Sequence, residues 1–153
     1  MNKIINEMEI KFKAISINES FARASIAGFC LQLNPSLDEL TDVKTAVSEA
    51  VTNSIVHAYK QIDENSVVVC KVKLFENNFV EISIRDFGVG IKDVNQAKQP
   101  FFTTRPTQER SGMGFTVMES FMDEVKVENE ETGGLKVVLT KQFKVVKEER
   151  EIG

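Results

Sequence analysis

Asp86, Gly88 and Gly90 form a short motif directly after a run of β-branched residues that predicts a strand. Glycine has no Cβ atom, so the backbone at these two positions can come close to a flat ligand. A carboxylate there can accept a hydrogen bond from the exocyclic amine of adenine, whereas guanine carries a carbonyl oxygen at that place. The motif indicates adenine binding, although on its own it also fits a tight loop.

A second glycine motif, Arg110-Ser111-Gly112-Met113-Gly114, stands at the start of a predicted helix. The first N–H groups of a helix have no intrahelical partner and lie at the positive end of the helix dipole. Where glycines also allow close approach, such a helix start can bind phosphate. Because Gly-x-Gly pairs are common, this motif alone is weak evidence for phosphate binding. The evidence is stronger when the motif occurs together with the other two motifs.

Glu49, Asn53 and His57 recur every four positions and therefore share one face of another predicted helix. A face of this kind is either a solvated surface or one wall of a cleft, and the spacing alone fits both. A different face of the same helix is apolar and is expected to be core. Its members are Leu40, Val43, Val47, Ala50, Val51, Ser54 and Ala58.

The elements that would position these motifs follow a β-α-α-β-β-loop-α-β-β order, which predicts an α+β fold with two layers. Asn18 is expected to cap the first helix, and Ser36 with Glu39 matches a capping box for the second. The first strand is expected at or near a sheet edge. Strands and helices are predicted at residues 8–15, 18–33, 36–59, 67–75, 79–84, 115–122, 124–130 and 135–143.

Length and composition favour one globular domain, residues 1–146, with a charged and disordered tail at 147–153. The chain has 153 residues and a formal net charge of −4, and its acidic and basic residues are interleaved. Direct nucleic-acid binding is therefore not expected. Cys30 and Cys70 lie in apolar runs without metal-ligand spacing. No signal peptide or long apolar run stands out, so a cytoplasmic protein without a membrane span is expected.

The three motifs resemble those of the Bergerat-fold (GHKL) ATPases, a superfamily that includes gyrase, Hsp90, histidine kinases and MutL. Residues 49–58 resemble its asparagine box, 86–90 its first glycine box and 112–114 its second, and the resemblance spans about residues 8–143. Val47–Asn53, Pro100–Thr104 and Ser111–Phe115 resemble in particular the sporulation anti-sigma factors that are serine-protein kinases. This resemblance implies a mixed, mostly antiparallel sheet with helices on one face and a lid over the nucleotide.

The resemblance also implies ATP or ADP and Mg²⁺ as ligands, with a role for each motif. Asn53 would bind the metal ion, Glu49 would orient or deprotonate the attacking hydroxyl, and Asp86 would hold the adenine amino group beside the turn at Gly88 and Gly90. The lid, from about residue 98 to 111, would place Arg110 at the γ-phosphate. The other implied phosphate-side residues are Thr103, Thr104, Arg105, Ser111, Gly112, Met113 and Gly114.

One position departs from the family pattern. Many relatives have a Gly-Thr pair at the start of the last strand, and the threonine hydroxyl reaches the adenine. Here Gly134 is followed by Leu135. Thr132, in the preceding turn, is the candidate replacement.

Two functions stay open from the sequence. In the first, the protein sequesters a sporulation-type sigma factor and, as an ATP-dependent serine kinase, phosphorylates an anti-anti-sigma protein. In the second, the nucleotide only gates sigma-factor binding and no transfer occurs. Glu49 favours the first. A histidine kinase would need a separate acceptor histidine, and the only histidine, His57, lies within the ATP motif.

The first helix offers a candidate surface for partners or for the homodimer that the resemblance implies. Its core stripe contains Ala22, Ile26, Phe29, Cys30 and Leu33. The opposite side carries small and apolar residues, with Arg23 near its edge, and is expected to serve dimerisation or docking. The alternative is a helix that is buried on both sides. The residues of this opposite face are Phe21, Ala24, Gly28 and Leu31.

Overall fold

The structure, a computed structural model, describes residues 3–59, 61, 63–90 and 114–145. The helices are α1 (Asn18–Cys30), α2 (Leu37–His57) and α3 (Gly114–Phe121), and the strands are β1 (Ile4–Lys13), β2 (Val67–Phe75), β3 (Phe79–Asp86), β4 (Glu124–Asn129) and β5 (Leu135–Gln142). A short 3₁₀ turn at Leu31–Leu33 follows α1, and another at Glu76–Asn78 joins β2 to β3. The expected lid and tail lie outside the described residues.

The strands form one sheet in the order β1-β2-β3-β5-β4. β1 is an edge strand, as predicted, and both predicted hairpins are present. Every neighbouring pair in the described part of the chain is antiparallel, so the sheet there is antiparallel rather than mixed. β3 is the central strand, and it ends at Asp86.

Among the described residues, the helices cover one face of the sheet, and the strand residues on the other face are half-buried or exposed. Alternate residues of β2 and β3 are buried, as expected for strands with one face in the core. On the opposite face Lys71 forms an ion pair with Glu9 at 3.6 Å. This arrangement confirms the predicted α+β sandwich of two layers. The buried residues of the two strands are Val68, Cys70, Val72, Leu74, Val80, Ile82, Ile84 and Asp86.

Helix α2 lies between α1 and α3 and begins at the predicted capping box. The Ser36 hydroxyl accepts a hydrogen bond from the Glu39 N–H at 3.0 Å, and the Glu39 carboxylate accepts one from the Ser36 N–H at 2.9 Å. The helix ends at His57, two residues before its predicted end at Tyr59. Its predicted apolar stripe is buried at Val43, Val47, Ala50, Val51, Ser54 and Ala58.

The predicted cap of α1 is wrong. Ile17 is the N-cap, and no side chain caps the helix. A turn before the helix already gives the Asn18 N–H an acceptor, the carbonyl of Ile15 at 3.0 Å. The Asn18 side-chain amide donates instead to the carbonyl of Lys13 at 3.0 Å, so it ties α1 to the end of β1.

The end of β5 is attached to the start of α2. The second Glu39 oxygen accepts a hydrogen bond from the Lys144 N–H at 2.9 Å, and Phe143 beside it is fully buried. Burial acts to raise the pKa of Glu39, but hydrogen bonds from Ser36 and Lys144 outweigh it, so the pKa is lowered. Among the described residues, no helix combines the length and the apolar character that crossing a bilayer requires.

Candidate nucleotide-binding site

Asp86 lies at the end of the central strand and is 2% exposed. Its Oδ1 atom accepts hydrogen bonds from the backbone N–H groups of Gly88 at 3.0 Å and Leu135 at 3.1 Å. The side chain of Ser54, from α2, also bonds to the carboxylate. Burial raises the pKa of Asp86, while these hydrogen bonds and the charge of Arg85 act to lower it. Three segments of the chain therefore fix one carboxylate.

The loop after Asp86 rests on the C-terminal end of α2. A Cβ atom at Gly88 would lie 1.9 Å from the carbonyl oxygen of Ala58, so the loop can come this close only with glycine at that position. The Val89 N–H donates to the same carbonyl at 2.8 Å. The first glycine of the motif is thus required by contact with the helix that carries Glu49 and Asn53.

Gly90 brings the same loop against the turn between β4 and β5. Its φ angle is +75°, a left-handed conformation that favours glycine. A Cβ atom there would lie 2.5 Å from Oδ1 of Asn129 and 3.5 Å from the carbonyl oxygen of Gly134. The first glycine box therefore lies between α2 on one side and the β4–β5 turn on the other.

Gly114, the first residue of α3, joins the second glycine motif to the asparagine box. A Cβ atom at Gly114 would lie 2.9 Å from Nδ2 and 3.4 Å from Oδ1 of Asn53, and 3.4 Å from Oε2 of Glu49. Both side chains are half-buried on α2. The start of α3 thus lies close to the two residues, one helical turn apart, that the sequence singles out.

The Asn53 and Glu49 oxygens suit a hard cation such as Mg²⁺, which prefers oxygen ligands and keeps several waters. Both oxygens lie near one point at the start of α3. Among the described residues, no group of three or more His, Cys, Asp and Glu side chains could hold a metal ion by itself. A cation bound here would therefore take its remaining ligands from phosphate oxygens and water.

The phosphate-side predictions fall in the part of the chain that the structure does not describe. Gly114 is described, and it lies close to Glu49 and Asn53 as given above. Thr103, Thr104, Arg105, Arg110, Ser111, Gly112 and Met113 lie outside the described residues.

Thr132, the candidate replacement for the missing Gly-Thr contact, bonds to Arg85 in the structure. The Thr132 hydroxyl accepts a hydrogen bond from the guanidinium of Arg85 at 2.9 Å. The buried Leu135 contributes its N–H to Asp86. At the start of the last strand a backbone N–H therefore bonds to the site residue Asp86.

Three residues of the site were missed by sequence reasoning. Ser54 was assigned to the core stripe of α2, and its burial is correct, but it also bonds to Asp86. The Tyr59 hydroxyl donates to the Val67 carbonyl at 2.6 Å and accepts from the Phe87 N–H at 2.8 Å.

Arg85, the third, contacts the β4–β5 turn. Ser54 could have been found from the sequence, because a serine among the apolar residues of a core stripe indicates a buried hydrogen bond. Nothing local marked Tyr59 or Arg85, because their partners are distant in sequence.

The partner face predicted on α1 is exposed and lies apart from the nucleotide site. Phe21 is 52% and Leu31 54% exposed, so α1 is not buried on both sides within the described residues. Arg23 pairs with Glu19 at 3.1 Å. An open groove of about 650 Å³ runs between α1 and α2, and it is lined by Ser20, Phe21, Arg23, Ala24, Ala27, Gly28, Leu31, Leu40 and Lys44.

Solved structures show the same fold. The chain superposes on the RsbU and RsbW domains of Rv1364c from Mycobacterium tuberculosis with a TM-score of 0.64 and 18% identity, covering 93% of this chain and 35% of that one. It superposes on the catalytic domain of histidine kinase ThkA with a TM-score of 0.55 and 16% identity, covering 91% and 99%. At these identities the likeness concerns the fold.

Sequence comparison identifies the family. The family model of the histidine kinase-like ATPase domain matches residues 17–141. Proteins named anti-sigma F factor from Priestia megaterium and Geobacillus kaustophilus (strain HTA426) are 53% and 55% identical over 138 residues, covering 90% of this chain and 93% of each relative. One from Clostridium novyi (strain NT) is 50% identical over 141 residues. The chain belongs to the anti-sigma F factor family and carries a histidine kinase-like ATPase domain.

Proposed function

We propose that this protein is an ATP-dependent serine kinase that phosphorylates an anti-anti-sigma protein and, in its other state, sequesters a sporulation-type sigma factor. The observation that carries the proposal is the closeness of Gly114 to both Glu49 and Asn53, since a Cβ atom added there would lie within 3.4 Å of each side chain. It joins a carboxylate, an amide oxygen and a helix start in one place. The name of the relatives supports the sigma-factor partner.

Asp86 would recognise the adenine amino group. A carboxylate has two oxygens and about four acceptor positions, and the Gly88 and Leu135 bonds both go to Oδ1. Acceptor capacity therefore remains for an amine even though Ser54 also bonds to the group. Gly88 and Gly90 keep the loop close to the helix and to the β4–β5 turn, which would form the walls around the base.

Asn53 would hold Mg²⁺ through its amide oxygen. Bound there with the nucleotide, the ion would neutralise phosphate charge. Gly114 leaves room beside the amide of Asn53, since a Cβ atom there would lie 2.9 Å from Nδ2. Arg110 would contact the γ-phosphate, and the other lid residues would surround the phosphates: Thr103, Thr104, Arg105, Ser111, Gly112 and Met113.

Glu49 would act as the general base for phosphoryl transfer. The acceptor serine oxygen forms a bond to the γ-phosphorus, the bond from that phosphorus to the bridging oxygen breaks, and ADP leaves. The hydroxyl proton passes to the Glu49 carboxylate. Most of the catalysis in such reactions comes from positioning and charge neutralisation, so one well-placed carboxylate is sufficient.

The exposed face of α1 would serve dimerisation or partner docking, with Phe21 and Arg23 as contact residues. Two large apolar side chains of this face, Phe21 and Leu31, are each more than half exposed. A groove with a mostly apolar lining that includes Arg23 and Lys44 runs beside them. Aromatic residues and arginine are enriched in protein interfaces, which supports this assignment.

The decisive experiment incubates the purified protein with γ-labelled ATP, Mg²⁺ and candidate anti-anti-sigma proteins. We expect label on a serine of the partner. Glu49→Gln should reduce the transfer rate by about 10²–10⁴-fold while ADP still binds. Asp38→Asn, an exposed change on the same helix, serves as the matched control and should transfer at the wild-type rate.

The outcomes separate the two candidate functions. Wild-type protein that binds ADP but labels no partner would be a nucleotide-gated sigma-factor binder without transfer. Equal labelling by wild type and Glu49→Gln would contradict the role of Glu49. Protein that ignores adenine nucleotides in the presence of Mg²⁺ would overturn the proposal as a whole.

A further inference from the structure

We propose that Arg85 is a positioning residue for base recognition, because it clamps the β4–β5 turn against the loop that carries Asp86. The inference rests on the proposed adenine site and names a residue that acts through another. Arg85 itself lies on the side of the sheet away from the helices, so its side chain is held by the turn and by the loop rather than by the helical core.

The guanidinium of Arg85 contacts the turn at three points. Its Nη2 donates to the Thr132 hydroxyl at 2.9 Å and to the Gly133 carbonyl at 3.2 Å. Its Nη1 forms an ion pair with Glu130 at 3.3 Å. These three acceptors belong to the turn between β4 and β5, 45 or more residues from Arg85 in the chain.

The same guanidinium also contacts the Asp86 loop from its own side. Its carbon atom lies 4.4 Å from the centre of the Phe87 ring, a cation–π arrangement. Phe87 is 44% exposed and is fixed at its N–H by the Tyr59 hydroxyl. One planar group therefore bridges the loop and the turn, and the Arg85 and Glu130 side chains are only 23% and 25% exposed.

A shift of the turn would reach Asp86 directly. The Leu135 N–H, at the end of the turn, donates to Asp86 Oδ1 at 3.1 Å. Gly134 is so close that a Cβ atom there would lie 2.0 Å from the Asp86 carbonyl oxygen. Gly90, on the far side of the loop, faces the Gly134 carbonyl. The turn and the Asp86 loop thus hold each other, and Arg85 is the side chain that closes this contact.

The geometry requires arginine rather than any cation. A guanidinium is planar, offers a rigid set of donors and stacks on aromatic rings, whereas a lysine ammonium is a single point charge on a flexible stem. Arg85→Lys could keep the ion pair with Glu130, but it could not also donate to Thr132 and Gly133 while lying over Phe87. We therefore expect only partial rescue from lysine.

The test is calorimetric titration of the full-length protein with ADP and, separately, GDP in the presence of Mg²⁺. Arg85→Gln should weaken ADP binding about tenfold, which equals about 1.4 kcal/mol, and should weaken GDP binding less. The ratio of ADP to GDP affinity therefore falls. With ATP as substrate, KM should rise while kcat stays within about twofold. Lys71→Gln, which removes an ion pair on the same sheet face away from the turn, should leave both affinities unchanged.

Thr132→Ala provides a second, milder variant, because it removes a single acceptor from the clamp. It should weaken ADP binding about threefold. Combined with Arg85→Gln it should add nothing further, because both changes break the same contact. If Arg85→Gln fails to fold, Thr132→Ala tests whether the contact between Arg85 and the turn supports ADP binding.

Folded Arg85→Gln with wild-type ADP affinity, or with ADP and GDP weakened equally, would overturn the inference. Unchanged binding by Thr132→Ala together with an unfolded Arg85→Gln would do the same. Wild-type protein that binds neither nucleotide would overturn the proposed function itself, so the two failures are distinguishable.

Discussion

Replacing Gly88 by alanine tests whether the Asp86 loop rests on the end of α2. The added Cβ would lie 1.9 Å from the carbonyl oxygen and 2.4 Å from the carbonyl carbon of Ala58, and both are backbone atoms. The loop would have to move by roughly 1.5 Å to reach ordinary contact distance. That movement breaks the hydrogen bond from the Val89 N–H to Ala58.

The expected magnitude follows from these two effects. Forcing an extra carbon into a tightly packed site costs about 1–3 kcal/mol. For a chain of this size, each kcal/mol lowers Tm by roughly 2–4 °C. We therefore expect Gly88→Ala to lower Tm measurably and to weaken ADP binding, because the displaced loop carries Asp86.

The assay is thermal unfolding of wild type and variant, with ADP titrated into each. Gly28→Ala is the matched control, since nothing lies within 4 Å of a Cβ added there. Gly28 is inside α1, where alanine is favoured over glycine by roughly 0.8–1 kcal/mol, so its Tm should rise. A Gly88→Ala protein with wild-type Tm and ADP affinity would refute the assigned contact between loop and helix.

Three further predictions concern other parts of the molecule. In Gly114→Ala the new Cβ would lie 2.9 Å from the side chain of Asn53, which can move, and not against backbone. We therefore expect Tm to change little and the Mg²⁺-dependent affinity for ADP to fall about tenfold. An unchanged ADP affinity in titrations would contradict the proposed nucleotide site. The pKa of Asp86 is raised in the folded state, so the folded protein binds this proton more tightly than the unfolded chain does. The stability that the proton contributes is therefore complete at a pH below the unfolded-state pKa, and it is lost as the pH rises through the folded-state pKa. The free energy of unfolding, measured with denaturant across that pH range, should fall in wild type but not in Asp86→Asn. The same pH dependence in both proteins would argue against a raised pKa at Asp86. Phe21→Glu, on the exposed face of α1, should leave the fold intact at a cost of about 1 kcal/mol and weaken self-association or partner binding; light scattering and binding titrations that match wild type would exclude this face.

Local patterns were sufficient to predict most of the fold. The period of the apolar residues predicted α2 and its buried stripe, and the alternation in β2 and β3 predicted the hairpin that ends at Asp86. The capping box at Ser36 was correct because both its hydrogen bonds lie within four residues. By contrast, the cap at Asn18 failed, because the helix begins one residue earlier, with Ile17 as N-cap, and the Asn18 side chain bonds to the Lys13 carbonyl instead.

The site was predicted less completely, and the reason is distance along the chain. Asp86, Gly88 and Gly90 stood out as a motif, and the structure gives each a specific contact. The Tyr59 bond to Phe87 spans 28 residues and the Arg85 bond to Thr132 spans 47. Contacts of that range depend on which strands become neighbours, which no local pattern in β3 or α2 encodes.

Glu39 uses one oxygen for the first turn of α2 and the other for the Lys144 N–H. Asn53 lies fourteen residues further along the same helix, roughly 20 Å away. Fraying of the last strand would therefore release a hydrogen bond at the start of the helix that carries Glu49 and Asn53, and the two segments should open to solvent together. Trimming the chain before Lys144, or fusing a bulky domain directly to it, would loosen that helix from the end farthest from the nucleotide.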